Sequence, residues 1–418
     1  MELTVVELFA GVGGFRVGLN DIKSFDENDK AIENKNWKFV WANQFEPSTK
    51  AQPAYNCYCT RFGKEHTSNI DIQEEVAHLD EDADYIPNHS LLVGGFPCQD
   101  YSVARSLSGE KGIEGKKGVL FWSIAKILHV KKPPFVLLEN VDRLLKSPSK
   151  QRGRDFGIML RTFNDEGYDV EWRVINAAEY GARQRRRRTF IFAWRKDTKY
   201  AEVLSDMKIE DIIVKEGLFA RQFPINLIDT PIRTYDVTSY EDTVEMTEKF
   251  HANFENTGCM VNGEIVTFKT EPQFKEPIPL KDTLLHNVDK KFYLSDKQKE
   301  KFEYLKGSKR ITRTNAEGFT YNFSEGKIAY PENIDLPSRT MLTSEGTVNR
   351  SSHVVADLDT GEKRIITPVE AERLQHFPDN WTNTGMTDRQ RYFMMGNALV
   401  TFIINTLEPR LEEIIKAE

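Results

Sequence analysis

The sequence predicts an α/β fold: a parallel, doubly wound sheet with helices on both faces, joined to a second, smaller and irregular region. Three observations predict it. Across the first half, short apolar runs alternate with longer segments of helical spacing. The alternation stops after Trp194, and residues 196–336 are polar, charged and irregular, too long a stretch for a loop. The last residues return to helical spacing, with Phe402, Ile403, Leu407, Leu411, Ile414 and Ile415 on one apolar stripe that a helix must bury.

Taken in order, Thr4-Val-Val-Glu-Leu-Phe-Ala10 reads as a buried strand, as do residues 38–42, 90–95 and 135–139. Helices are expected over residues 15–23, 47–61, 120–129 and 155–166. Pro47 suits a first helical turn, where its missing N–H costs nothing. Two more strands are expected at residues 170–174 and 189–194. Alternating strands and helices favour parallel pairing. The C-terminal stripe is expected to pack back on this first region. Residues 1–195 with 387–418 therefore form one expected domain, and residues 196–386 the other.

Composition sets outer limits. The chain has 418 residues, 29% charged and 39% hydrophobic, which excludes a disordered chain, a collagen-like fibre and a small disulfide scaffold. No run of 18 apolar residues occurs, so no membrane span is expected. The first residues lack the charged and apolar regions of a secretory signal, and a cytoplasmic protein is expected. The four cysteines, Cys57, Cys59, Cys98 and Cys259, make no disulfide framework. Cys57 and Cys59 lack further ligands at zinc spacing, so they are read as helix packing and no metal is expected.

The net charge of −7 argues weakly against a nucleic-acid partner, but its distribution does not. Residues 71–84 hold seven Asp/Glu and no Lys/Arg, whereas residues 183–188 hold five Arg. Residues 281–313 hold ten Lys/Arg against five Asp/Glu, and these cations are expected at phosphates or on a solvated helix face.

Four motifs carry chemistry. Phe9-Ala-Gly-Val-Gly-Gly14 links a strand to a helix, and its glycines permit a tight turn close to a ligand. The third glycine of a dinucleotide fingerprint would fall at Arg16, which counts against an NAD or FAD oxidoreductase. Gly94-Gly-Phe-Pro-Cys-Gln99 puts Cys98 beyond the carboxyl end of a strand, and Glu139-Asn140 ends another strand at the same edge. In Gly181-Ala-Arg-Gln-Arg-Arg-Arg-Arg188, strand alternation sends Arg186 and Arg188 to one face. Alone, each has a plainer reading: a tight turn, a buried cysteine, a strand end, a solvated basic turn.

Together they resemble the DNA cytosine-5 methyltransferases of bacterial or phage restriction-modification type. The resemblance rests on Phe9-Ala-Gly-Val-Gly-Gly-Phe15, Gly95-Phe-Pro-Cys-Gln99, Glu139-Asn-Val141, Gln184-Arg-Arg-Arg-Arg188, Ser338-Arg-Thr340 and Gly396-Asn397, in the family's order. It covers residues 1 to about 195 and about 336 to 418. It implies a Rossmann-like S-adenosylmethionine-dependent methyltransferase domain, residues 1–195 plus 387–418, with a smaller irregular target-recognition domain, residues 196–386.

The same resemblance implies the chemistry. Cys98 adds as thiolate to C6 of cytosine, and C5 then accepts the methyl group of S-adenosylmethionine. A free thiol titrates near ~8.5, so a positive environment must favour the thiolate. Glu139 holds a proton at N3, Asn140 fixes the adjacent loop, Arg188 bonds O2, and Arg186 grips a phosphate. Phe9, Gly11, Val12 and Gly14 surround the methionine part of the cofactor, and Phe45 stacks on adenine. Asp71 accepts from the exocyclic amine and Ile72 packs on the ring, with Pro97, Leu120 and Asn397 completing the site. A carboxylate often precedes the stacking aromatic; Gln44 stands there, and Glu46 is the other candidate for the ribose.

Gln99, Ser102, Arg105, Arg186 and Arg339 are the expected DNA contacts. The target base must rotate out of the duplex, at roughly a few kcal/mol, and residues 100–118 read as a lid that closes over it. The partners implied are duplex DNA and a companion restriction endonuclease, with the protein a monomer. Rival readings are an RNA (tRNA) cytosine-5 methyltransferase and a non-catalytic DNA-binding protein on the same scaffold. The long segment after residue 195 favours duplex DNA, because reading base edges needs a second wall.

Overall fold

In the computed structural model, which describes residues 1–96, 119–314 and 318–418, the apolar runs of the first half form strands. They are β1 (Thr4–Leu8), β2 (Lys38–Asn43), β4 (Leu91–Gly95) and β5 (Phe135–Val141), all parallel, with the short β3 (Thr67–Ser68) beside β2. Helices α1 (Gly14–Leu19), α2 (Pro53–Phe62), α3 (Ile72–Ala77), α4 (Val119–Lys131) and α5 (Arg154–Asp165) lie between and after them. Helix α2 starts at Pro53 rather than Pro47. The Glu46 carboxylate accepts from the Ala54 N–H at 2.9 Å, so this earlier stretch caps the helix instead of joining it.

The sheet is larger than expected, and it is mixed. Strands β6 (Tyr168–Asn176) and β7 (Arg187–Arg195) form an antiparallel pair, and β7 inserts antiparallel against β5. Beyond Trp194 come β8 (Ile225–Leu227), β9 (Arg233–Asp236), β10 (Thr257–Val261), β11 (Glu264–Phe268) and β12 (Thr270–Pro272). Of these, β9, β10 and β11 extend the sheet, whose order is β3-β2-β1-β4-β5-β7-β6-β10-β11-β9. The sheet thus runs straight through the boundary expected at residue 195. The physical reason is the edge of β6: left unpaired it would expose a row of backbone groups, and β10 covers it from Thr257↔Arg173 to Met260↔Val170.

Both faces are covered, as the buried parallel strands require. One face packs Phe15 and Leu19 of α1 with Ile403, Leu407, Leu411 and Ile415 of the C-terminal helix Thr401–Ala417. Leu218, Phe219 and Phe223 join this layer from beyond residue 195. The other face holds α3, α4 and α5 through Ile72, Val76, Ile124, Leu128, Phe156 and Phe163.

Residues from about 280 onward build a third cluster. Leu280, Met341, Ile366, Trp381 and Met395 pack against Val12, Val17 and Cys57 of the first region. This part carries the helix Asp296–Lys306, the hairpin β13 (Lys309–Thr314) and β14 (Thr320–Glu325), the pair β15 (Val354–Ala356) and β16 (Lys363–Ile365), and the helices Pro368–Leu374 and Asp388–Asn397. Among the described residues, no helix is long and apolar enough to cross a membrane. Cys57 and Cys59 lie on α2, both buried.

Candidate active site at the carboxyl edge of the sheet

Parallel strands β1, β2, β4 and β5 point their carboxyl ends to one edge, where an open α/β sheet presents its functional groups. The chain leaving β1 turns sharply there: Phe9, Gly11 and Gly13 all have positive φ, at 54°, 57° and 87°. Only glycine takes this conformation without strain, so a turn through Gly11 and Gly13 explains the motif. A Cβ at Gly11 would meet nothing within 4 Å, so that side of the loop faces open space. Val12 and Gly14 face inward instead. Val12 is buried and its carbonyl accepts from the Trp381 indole at 2.8 Å, while Gly14 sits against Leu399.

Gln44 is engaged within the protein. Its side-chain oxygen accepts from the Gly11 N–H at 2.7 Å, which ties the end of β2 to the glycine loop. Glu46 is committed to the start of α2, and burial raises its carboxyl above the ordinary range. Between them, the Phe45 ring is exposed. The Asn43 amide donates to the Ile70 carbonyl at 2.8 Å, so Phe45 and Asp71 leave neighbouring strand ends. One Asp71 oxygen caps α3 by accepting from Gln73 N–H at 3.0 Å. Ile72 is packed in the core beneath, Leu120 is half-buried on α4, and Asn397 is exposed at the end of its helix.

Glu139 and Arg188 meet across β5 and β7, with Arg188 Nε 2.9 Å from Glu139 Oε1. Gly95 of β4 is the register partner of Glu139, and a Cβ there would come within 3.4 Å of Glu139 Oε2. Burial raises the Glu139 carboxyl above the usual range, against the opposing pull of Arg188 and Arg186. Asn140 is buried and donates to the Phe96 carbonyl at 3.0 Å, fixing the chain just before Pro97 and Cys98. Pro97, Cys98, Gln99, Ser102, Arg105 and the expected lid at 100–118 lie outside the described residues.

Arg186 departs from its expected place at a phosphate. It is 1% exposed and donates to the carbonyls of Met341 at 3.0 Å and Gly396 at 2.8 Å. Burial, with the like charge of Arg188 beside it, brings its guanidinium down to about 9. It fastens two distant segments to β7 and has no exposed face for a phosphate. Gln184 does similar work, accepting from Met341 N–H at 2.8 Å and donating to the Leu374 carbonyl at 3.2 Å. Arg339, also expected at DNA, is ion-paired with Glu332, with Nε 3.0 Å from Oε2. Glu332 in turn lies 3.6 Å from the buried Lys306.

The reading of the sequence missed Glu7. It is fully buried under the glycine loop, accepts from the Tyr58 hydroxyl at 3.0 Å, and burial pushes its carboxyl up to about 7. The signal was available: a lone carboxylate inside the apolar run Thr4-Val-Val-Glu-Leu.

Comparison with known proteins agrees with this geometry. The profile of the C-5 cytosine-specific DNA methylases matches residues 3–413. The chain is 48% identical to the Type II methyltransferase M.Sau3AI of Staphylococcus aureus over 417 residues, covering 99% of this chain and 96% of that protein. It is 25% identical to the Type II methyltransferase M1.ScrFI of Lactococcus lactis subsp. cremoris over 413 residues, 99% of this chain and 78% of that one. In fold it is similar to the S. pombe Dnmt2 methyltransferase, with a TM-score of 0.59 at 16% identity over 98% of each chain. Family, relatives and fold agree, and the chain belongs to the C-5 cytosine-specific DNA methylases, as a DNA cytosine-5 methyltransferase.

Proposed function

We propose that the protein transfers a methyl group from S-adenosylmethionine to C5 of a flipped-out cytosine in a specific duplex sequence, through a covalent bond between Cys98 and C6. The observation that carries this reading is the Glu139–Arg188 pair beside Gly95, next to the strand that leads into Cys98. The residues at the sheet edge fit the donor. Phe45 offers an exposed aromatic face, Asp71 keeps a carboxylate oxygen beyond the one used in its cap, and the Gly11 turn leaves room beside it. When bound there, the donor supplies an electrophilic methyl on a sulfonium.

The chain's own residues do the rest. The Cys98 thiolate forms a bond to C6, and the ring's electron pair is driven toward C5. Glu139, whose anion burial disfavours, holds a proton at N3 and so neutralises the charge that develops there. Arg188 leaves Glu139 for the pyrimidine O2, and the loss of that cation raises the carboxyl further. C5 takes the methyl as its bond to the donor sulfur breaks and S-adenosylhomocysteine is left; C5 then gives its proton to solvent water, and the Cys98–C6 bond breaks to regenerate the thiolate. Asn140 holds Phe96, and hence the approach of Cys98, in place. Arg186 and Gln184 position β7 rather than touch the base.

The likeness to Type II methyltransferases supports a role beside a restriction endonuclease that reads the same site. Methyl transfer from tritiated donor tests the reading. Label enters duplex DNA and not tRNA, and Cys98→Ser abolishes turnover while DNA binding persists. Label in tRNA alone contradicts it.

A further inference from the structure

Among the described residues, the hairpin of β13 and β14 contributes nothing to any of the apolar clusters. Strand register pairs Lys309 with Glu325, Arg310 with Ser324, Ile311 with Phe323, Thr312 with Asn322, Arg313 with Tyr321 and Thr314 with Thr320. Directly opposed residues share a face. One face is therefore Arg310, Thr312, Thr314, Thr320, Asn322 and Ser324. All six are polar and exposed, and none is acidic. Across that face the Thr312 hydroxyl donates to Asn322 Oδ1 at 3.2 Å. The opposite face carries the apolar and aromatic groups, with Arg313 stacked 3.9 Å over Phe323.

A two-stranded ribbon with no core behind it is marginal in water, so something must hold its base. Arg350 does so. Its guanidinium donates to the carbonyls of Leu305 at 2.6 Å and Gly307 at 3.2 Å, in the last helical turn and the link just before β13, and to the Gly326 carbonyl just after β14. Lys309 and Glu325 close the same end at 3.5 Å. Several cations of the basic stretch already have acidic partners: Lys281 pairs with Asp335 and Lys291 with Asp388 at the surface, and the buried Lys306 with Glu332. Arg310 has no carboxylate partner among the described residues.

We propose that this polar face enters the major groove and reads the base edges of the target site, with Arg310, Thr312 and Asn322 as the specificity residues. The inference rests on the reading above, that the substrate is a specific duplex. The dimensions agree: strands about 4.8 Å apart form a ribbon that a groove about 12 Å wide admits. So does the chemistry. Arg pairs bidentately with guanine and Asn with adenine, while threonine hydroxyls both donate and accept. Short Thr, Ser and Asn side chains reach base edges only if the ribbon's backbone itself lies in the groove. The single cation with no acid on that face matches a polyanion.

Selection from random duplexes, with bisulfite sequencing of treated DNA, tests this on wild type and on Arg310→Ala, Thr312→Ala, Asn322→Ala and the triple variant. All three side chains are exposed, so melting temperatures stay unchanged as a folding control. Each variant loses discrimination at one or two positions of the wild-type motif. Affinity for the preferred duplex falls roughly 5- to 100-fold per contact, with little change on scrambled DNA. An unaltered motif and affinity in the triple variant overturns the proposal. A uniform loss on every sequence with a shallower salt dependence also overturns it, because that marks phosphate contact. The binding arm reads the ribbon whether or not methyl is transferred. Duplexes selected but never methylated by wild type would instead overturn the proposed function.

Discussion

Glu139 stands between two demands. Burial holds its proton on, and Arg188 at 2.9 Å pulls it off. If the protonated form serves N3, turnover is highest below the raised pKa and declines as pH rises through it. Glu139→Gln should lose that descending limb and lower kcat by about 10²- to 10⁴-fold, with DNA affinity nearly unchanged; kcat and Kd measured across pH separate the two effects. At this scale the sequence was readable where a residue's position follows from its own strand. Glu139 and Asn140 sit at a strand end, beside the strand that leads into Cys98, and their spacing announced it. Arg186 was not readable. Whether a guanidinium meets a phosphate or a carbonyl depends on where Met341 and Gly396 arrive, and both lie more than a hundred residues away in sequence.

Elements meet with little slack. Gly18 in α1 packs against the C-terminal helix so closely that a Cβ would lie 2.5 Å from Ile404 Cβ and 2.9 Å from the Thr401 carbonyl. Gly18→Ala should therefore destabilise the protein by about 1–3 kcal/mol despite alanine's better helix propensity, seen as a lower denaturant midpoint. An unchanged midpoint would mean the two helices separate easily. The strands and helices of the first half were legible because apolar runs and helical spacing are local signals. Helix α2 was misplaced because Pro47 and Pro53 both suit a first turn, and the choice fell to the Glu46 carboxylate capping Ala54.

The molecule as a whole does not divide at Trp194. Ile175, Phe190, Phe192 and Trp194 share one apolar layer with Leu218, Phe219 and Cys259 from the next region, and with Leu407 and Leu411 from the last helix. A fragment of residues 1–195 would expose that layer, so it should show no cooperative unfolding transition by calorimetry. A sharp transition in the fragment would contradict the shared core. The strand order was not legible in the sequence, because β7 beside β5, and β10 beside β6, are pairings between segments far apart in the chain. The sheet's carboxyl edge was legible, since parallel connections fix which ends converge.

The account turns on a bond between Cys98 and C6 of the target base. Duplexes carrying 5-fluorocytosine at the methylated position, incubated with the protein and S-adenosylmethionine, block loss of the C5 substituent and so hold that bond. The account predicts an adduct that survives denaturation and maps by peptide mass to Cys98. Methylation of the unmodified duplex with no such adduct on its fluorinated counterpart would contradict it.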